Sequence, residues 1–144
     1  MAASGGTLTL HLRRFSDDVR RLTARKAVVL ATGGIGKATA LRVAALGGTA
    51  ILVARGAEKL ELTKGDIIAQ GGSAVAYACD LSDMDEIDKL AKKLNRDFEG
   101  IDVVVNNAGR SIRRSLRLSY DRFHDFERTM QLNYFGAIRL VMGL

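Results

Sequence analysis

Thr32-Gly33-Gly34-Ile35-Gly36 follows directly on the apolar run Ala27-Val28-Val29-Leu30-Ala31. Glycines at a strand-to-helix junction let the backbone turn tightly and approach a pyrophosphate, while the helix N-terminus presents N–H groups to it. A short glycine cluster also makes an ordinary turn; its position after a buried strand favours phosphate binding. A second strand ends in Val53-Ala54-Arg55, with no carboxylate before Glu58. An acidic residue there would accept hydrogen bonds from the ribose 2′-hydroxyl of NAD, whereas a cation holds a 2′-phosphate. NADP is therefore expected over NAD, with Arg55 as its main ligand and Lys59 as helper; the bland alternative for Arg55 is a solvated loop residue.

Asp80, in Cys79-Asp80-Leu81, closes a third strand. A carboxylate at that end points into the ligand crevice, where it meets an adenine amino group, or it caps the next helix. Asn106-Asn107-Ala108-Gly109 ends a fourth strand, and two amides beside small residues suit a crowded crevice. Further on, Phe126, Met130, Asn133 and Ala137 recur at helical spacing, which directs the Asn133 amide into an apolar interface. Such an amide needs a partner in backbone, water or ligand. Metal chemistry has no support, because Cys79 is alone and the two histidines are far apart.

The elements that would position these residues alternate regularly. Strands are expected at 27–31, 50–53, 74–77 and 101–105, and helices at 37–46, 57–70, from Ser82 as N-cap, and from Tyr120 towards Leu144. The helix after Ser82 carries Met84, Ile87, Leu90, Leu94 and Phe98 on one face. Short apolar strands alternating with helices imply βαβ units and an α/β fold. The expected architecture is a partial doubly wound, Rossmann-like parallel sheet of strand order 3-2-1-4. Residues 1–25 form an N-terminal extension, in which Leu8, Leu12, Phe15, Val19 and Leu22 mark an amphipathic helix; residues 26–144 form the nucleotide-binding half-domain. That first helix either packs on its own domain or docks on a partner or lipid surface.

The 144 residues, 47% hydrophobic and 26% charged, suit one globular domain. No apolar run reaches the length of a membrane span, and the start lacks a secretory signal, so a cytoplasmic location is expected. The net charge of +6 gathers in residues 1–30 and at Arg110, Arg113, Arg114 and Arg117. These arginines are either a solvated face or a site for phosphates or anionic lipid. A nucleic-acid partner is not expected, since aromatics do not interleave with the arginines and no such motif is present.

In order and spacing, Thr32-Gly33 with Gly34-Ile35-Gly36, Asp80, Asn106-Asn107-Ala108-Gly109 and Asn133 resemble the short-chain dehydrogenase/reductase family. The resemblance covers about Lys26 to Leu144. It implies that Gly33, Gly34 and Gly36 cradle a pyrophosphate, that Asp80 meets adenine, and that Asn106 and Ala108 border the path to nicotinamide. It further implies that Asn133 kinks its helix and holds a water in a proton relay. More narrowly, Asn107-Ala108-Gly109-Arg110-Ser111-Ile112-Arg113-Arg114-Ser115 and Ser119-Tyr120-Asp121-Arg122-Phe123-His124-Asp125-Phe126 on to Gly136 resemble bacterial fatty acyl-CoA reductases and mycobacterial lipid ketoreductases. An acyl thioester or keto-lipid substrate is implied, with the 110–117 arginines steering its phosphates.

Two departures qualify the resemblance. Members of the family place three residues between the first glycine and Gly-Ile-Gly, whereas here Gly33 abuts Gly34; weakened or lost cofactor binding is expected. The family's catalytic Tyr-x-x-x-Lys is also absent, because Tyr77, Tyr120 and Tyr134 are the only tyrosines and none has lysine four residues later. The chain is therefore expected to be a truncated and inactive form of an NADP-dependent oxidoreductase. The alternative is a non-catalytic nucleotide-binding or interaction module. Phe135, Ile138, Leu140 and Val141 on the last helix would favour association, including homo-oligomer formation.

Overall fold

The computed structural model describes residues 25–30 and 33–144. The expected helix over 8–22, the basic cluster of 13–21 and Thr32 lie outside the described residues. Four parallel strands form the sheet: β1 (Lys26–Leu30), β2 (Thr49–Ala54), β3 (Ser73–Ala78) and β4 (Val103–Val105). Their order is β3-β2-β1-β4, as the alternation of elements implied. The fourth strand is shorter than its sequence pattern suggested, since Ile101 packs against the core from outside the ladder.

Strand side chains divide by parity. Val28, Leu30, Ile51 and Val53 face one core, and Ala27, Val29, Ala50 and Leu52 face the other. Both faces are thus dry, which is why these strands read as continuous apolar runs rather than alternating ones. Helices α1 (Gly34–Ala45) and α2 (Ala57–Ala69) cover the second core. The first is covered by α3 (Met84–Asp97), whose Ile87, Leu90 and Leu94 are buried as their spacing required.

The cap of α3 differs from expectation. Asp83, not Ser82, is the N-cap; its Oδ1 accepts the N–H groups of Asp85 at 2.9 Å and Glu86 at 3.0 Å. Both residue types suit the position, and the ionised carboxylate adds an interaction with the helix dipole.

The last helix is not one continuous α-helix. It divides into α4 (Phe123–Met130), a π-helical segment (Gln131–Gly136) and α5 (Ala137–Gly143). The π segment brings Gly136 against the Leu81 carbonyl, where any Cβ would collide. Three side-chain ties hold this element to α3 and its approach: Gln131 Nε2 donates to the Ser82 carbonyl (3.0 Å), Asn95 Nδ2 to the Gly143 carbonyl (2.8 Å), and Arg139 grips Asp88 through two nitrogens at 2.7 and 2.6 Å. Leu140 consequently belongs to the core at 0% exposure, which corrects its expected place on an association face. Phe135, Ile138 and Val141 do remain exposed. No helix among the described residues is long and apolar enough to cross a membrane.

Candidate functional site

A cleft of about 460 Å³ opens where β1, β2 and β3 end, lined by Gly33, Arg55, Asp80, Ala108, Gly109 and Leu132 among others. Carboxyl ends of parallel strands are where such sheets bind ligands, because the connecting loops diverge there. Gly33 is extended and serves as N-cap of α1, with no side-chain hydrogen bond, and the first turn of α1 holds no acidic residue. The positive end of the helix dipole is therefore uncompensated among the described residues, as an anion site needs. Gly34 has φ +50°, in the left-handed region, so its glycine is a conformational requirement. Ile35 is exposed, and Gly36 is buried with its N–H donating to the Gly33 carbonyl at 3.1 Å.

Arg55 leaves the end of β2 and faces Asp80 across the cleft, 3.9 Å between charged atoms. Both side chains are substantially exposed, so their attraction is weak and open to competition from a ligand. Asp80 leaves the capping of α3 to Asp83. It lines the cleft, and its Oδ1 accepts the Ser82 N–H at 2.9 Å in the turn leading to α3. Its own N–H donates to Glu86 Oε2 at 2.6 Å. Sequence reasoning missed Glu86; its place in the first turn after the Asp83 cap was the available signal.

The Asn106-Asn107-Ala108-Gly109 stretch is brought beside these residues. Asn106 is exposed, and Asn107 Nδ2 donates to the Leu30 carbonyl at 3.4 Å, a long bond linking the ends of β4 and β1. Asn133 sits in the π-helical segment, and its amide is satisfied twice by one residue. Oδ1 accepts the Arg110 N–H (2.9 Å) and Nδ2 donates to the Arg110 carbonyl (2.8 Å). Asn133 is exposed, which corrects its expected burial in an apolar interface: Phe126 and Met130 of that face are exposed as well. The amide fixes the loop after Gly109, and a Cβ at Gly109 would press on Asn133 Oδ1 at 3.3 Å. π segments of this kind concentrate at functional sites because they reposition one side chain per extra residue.

Other groups near the cleft are chemically quiet. Burial, helped by the charges of Glu86, Asp80 and Asp83, pushes the Cys79 thiol up to about 12, so it stays protonated. Tyr77 is likewise pushed up to about 12, by burial and by donating to Asp97 Oδ2 at 3.0 Å. Lys93 lies over the Tyr77 ring, 5.0 Å from its centre, rather than beside the hydroxyl. A catalytic tyrosine needs its pKa lowered, and this arrangement does the opposite.

Asp125 is the second group missed from sequence. Its Oδ2 is held by Arg114 at 2.6 Å and Arg122 at 2.9 Å, clamping the loop after Gly109 onto α4. Arg122 stands at i−3, a spacing visible in the sequence; Arg114 does not. Arg114 is thus engaged by a carboxylate rather than free to meet phosphates. The Arg122 and Arg114 hydrogen bonds depress the Asp125 carboxyl to about 2. Because the folded value lies below the ordinary one of about 3.9, its stabilisation is present above pH ~4 and lost as pH falls towards 2. Asp125→Asn is expected to flatten that part of the acid unfolding curve, read by circular dichroism between pH 5 and 2.

The family model for short chain dehydrogenases matches residues 26–144. The chain belongs to this family. An uncharacterized oxidoreductase of Mycobacterium tuberculosis is 49% identical over 150 residues, covering 97% of this chain and 44% of that protein. A fatty acyl-CoA reductase of Acinetobacter baylyi is 54% identical over 114 residues, covering 79% of this chain and 39% of its own length. Among solved structures, a metagenomic short-chain oxidoreductase in complex with NADP superimposes with a TM-score of 0.78 at 32% identity, over 85% of this chain and 55% of that one. The chain thus spans less than half the length of these two curated relatives.

Proposed function

We propose that this short-chain dehydrogenase chain forms the NADP(H)-binding half of a reductase acting on the carbonyl of an acyl thioester or keto-lipid. The observation that carries the cofactor reading is Arg55. It is the cation that follows directly on β2, the position from which a carboxylate would hold the ribose 2′-hydroxyl of NAD, and it shares its cleft with Gly33 at the N-terminus of α1. These residues fit a phosphorylated dinucleotide: Gly33 and Gly34 would admit its pyrophosphate, Arg55 its 2′-phosphate and Asp80 its adenine. When bound, the nucleotide supplies hydride to the carbonyl. The protein's part is to orient it: Asn107 and Asn133 hold the loop beside the cleft, and Glu86 fixes the backbone of Asp80. The likeness to a fatty acyl-CoA reductase supports the lipid carbonyl as substrate.

The test is a pair of equilibrium titrations, with NADPH and with NADH. Charge-assisted hydrogen bonds are worth about 1.5–3 kcal/mol, so Arg55→Ala should weaken NADPH binding by roughly ten- to a hundredfold. NADH binding should stay unchanged. Equal losses for both nucleotides would remove Arg55 from the 2′-phosphate site.

A second reading rests on Tyr77, whose hydroxyl donates to Asp97 and is pushed up to about 12 rather than lowered. These 144 residues then bind nucleotide without turnover, as a sensing or docking module. Nucleotide affinity without carbonyl-dependent NADPH oxidation is its signature.

A further inference from the structure

Beyond the nucleotide cleft, a pocket of about 310 Å³ lies between the loop after Gly109 and helix α4. Its apolar wall is Ile112, Leu116, Phe126 and Met130. Its polar groups already have partners. Asp125 is bound by Arg114 and Arg122, with His124 at 3.3 Å from its other oxygen. The Ser119 hydroxyl donates to the Ser115 carbonyl (3.1 Å), and that of Thr129 to the Asp125 carbonyl (2.7 Å). What the interior offers a ligand is therefore apolar contact and little else. The same loop carries charge: Arg113 and Arg117, both exposed, form no ion pair or hydrogen bond among the described residues.

We propose that this pocket takes the alkyl chain of an anionic single-chain amphiphile, with Arg113 and Arg117 receiving its negative head. The inference rests on the lipid-carbonyl reading above and gives that substrate class a place outside the nucleotide cleft. The two sites are neighbours along the chain: Ala108 and Gly109 line the cleft, Arg110 is held by Asn133, and Ile112 begins the pocket. The Asp125 clamp matters because it engages both Arg114 and Arg122 while holding the loop that carries part of the apolar wall against α4. An apolar pocket whose lining residues Ile112, Arg114 and Leu116 are flanked in the chain by the exposed Arg113 and Arg117, unpaired among the described residues, is complementary to a chain bearing an anionic group, and mismatched to a neutral or cationic one.

The experiment is a fluorescence titration of the full chain with cis-parinaric acid, an eighteen-carbon fluorescent carboxylic acid, below its micellar concentration. Micromolar binding is expected, weakened by added salt. Met130→Trp, which fills the pocket from an exposed position, should raise Kd about tenfold, equivalent to the loss of a few buried methylenes. The double variant Arg113→Gln with Arg117→Gln should weaken binding severalfold and remove most of its salt dependence. All three positions are exposed, and unchanged circular dichroism establishes that the variants fold. Parinaric acid binding that Met130→Trp leaves intact overturns the proposal. So does a concentration-dependent dimer, seen by sedimentation velocity, that Met130→Trp abolishes and parinaric acid does not disturb, because a second copy then covers this wall. A parallel NADPH titration separates the two readings. Retained nucleotide binding with no parinaric acid binding sinks this pocket alone, and the reverse result sinks the nucleotide site alone.

Discussion

Gly136→Ala is expected to lower the melting temperature more than any other single methyl group added to the described glycines. A Cβ there meets the Leu81 carbonyl oxygen far inside van der Waals contact, and backbone on both sides leaves no flexible end to yield. Accommodation requires the π segment to move off the β3–α3 turn. That movement would strain the Gln131 bond to Ser82 and the packing of buried Leu140. Overpacking of this kind costs about 1–3 kcal/mol or more, which for a domain of this size is a fall of roughly 3–10 °C. Leu81 also lines the nucleotide cleft, so the displaced turn should weaken NADPH binding in parallel. Gly65→Ala supplies the contrast. It lies inside α2 with nothing within 4 Å of an added Cβ, and a helix interior favours alanine by about 0.5–1 kcal/mol. Thermal unfolding should show opposite signs for the two substitutions, and a fall for both would mean that the Leu81 contact is not the cause.

The largest gain of function is expected from lengthening the glycine loop. Only residues 31–33 connect β1 to α1, which is within the range such connections tolerate. The fold therefore survives the short loop, while the backbone available to wrap a pyrophosphate is reduced. Inserting three small residues, Ala-Ser-Ser, between Gly33 and Gly34 restores the family's spacing and adds backbone donors beside the N-terminus of α1. A hydrogen bond to a charged group is worth about 1.5–3 kcal/mol, so even one recovered donor should tighten NADPH binding by roughly tenfold or more. Isothermal titration of the two chains decides it. Micromolar NADPH affinity in the unaltered chain, or no improvement on insertion, would show that the three residues do not limit binding.

Much of the site was legible in the sequence, for a local reason. Gly33, Arg55, Asp80, Ala108 and Gly109 line the cleft, and all lie within four residues of a strand end. A parallel sheet collects its carboxyl ends at one edge, so placing each residue on its own element placed it in the crevice. Asn106 and Asn107 follow the same rule, and the Asn107 side chain is bonded to the end of β1. Asn133 shows where the rule fails. Helical spacing put its amide among Phe126, Met130 and Ala137, but the π segment alters that spacing and turns the side chain to the Arg110 backbone. Periodicity does not announce a π turn; the family resemblance did point here, by implying that Asn133 kinks its helix, and the helix is interrupted at that residue.

The remaining surprises are contacts between distant segments. Asp125 receives Arg114 from eleven residues away, Arg139 reaches Asp88 across fifty-one, and Gly136 meets Leu81 across fifty-five. The sequence by itself determined the strand order, the helix faces and the glycine-, arginine- and asparagine-bearing edge, because these follow from short-range periodicity and chain reversal. Only the tertiary structure decided which charges neutralise one another, which apolar residues of the last helix are buried, and how the loop after Gly109 is held. Those depend on distances between elements that no local pattern encodes.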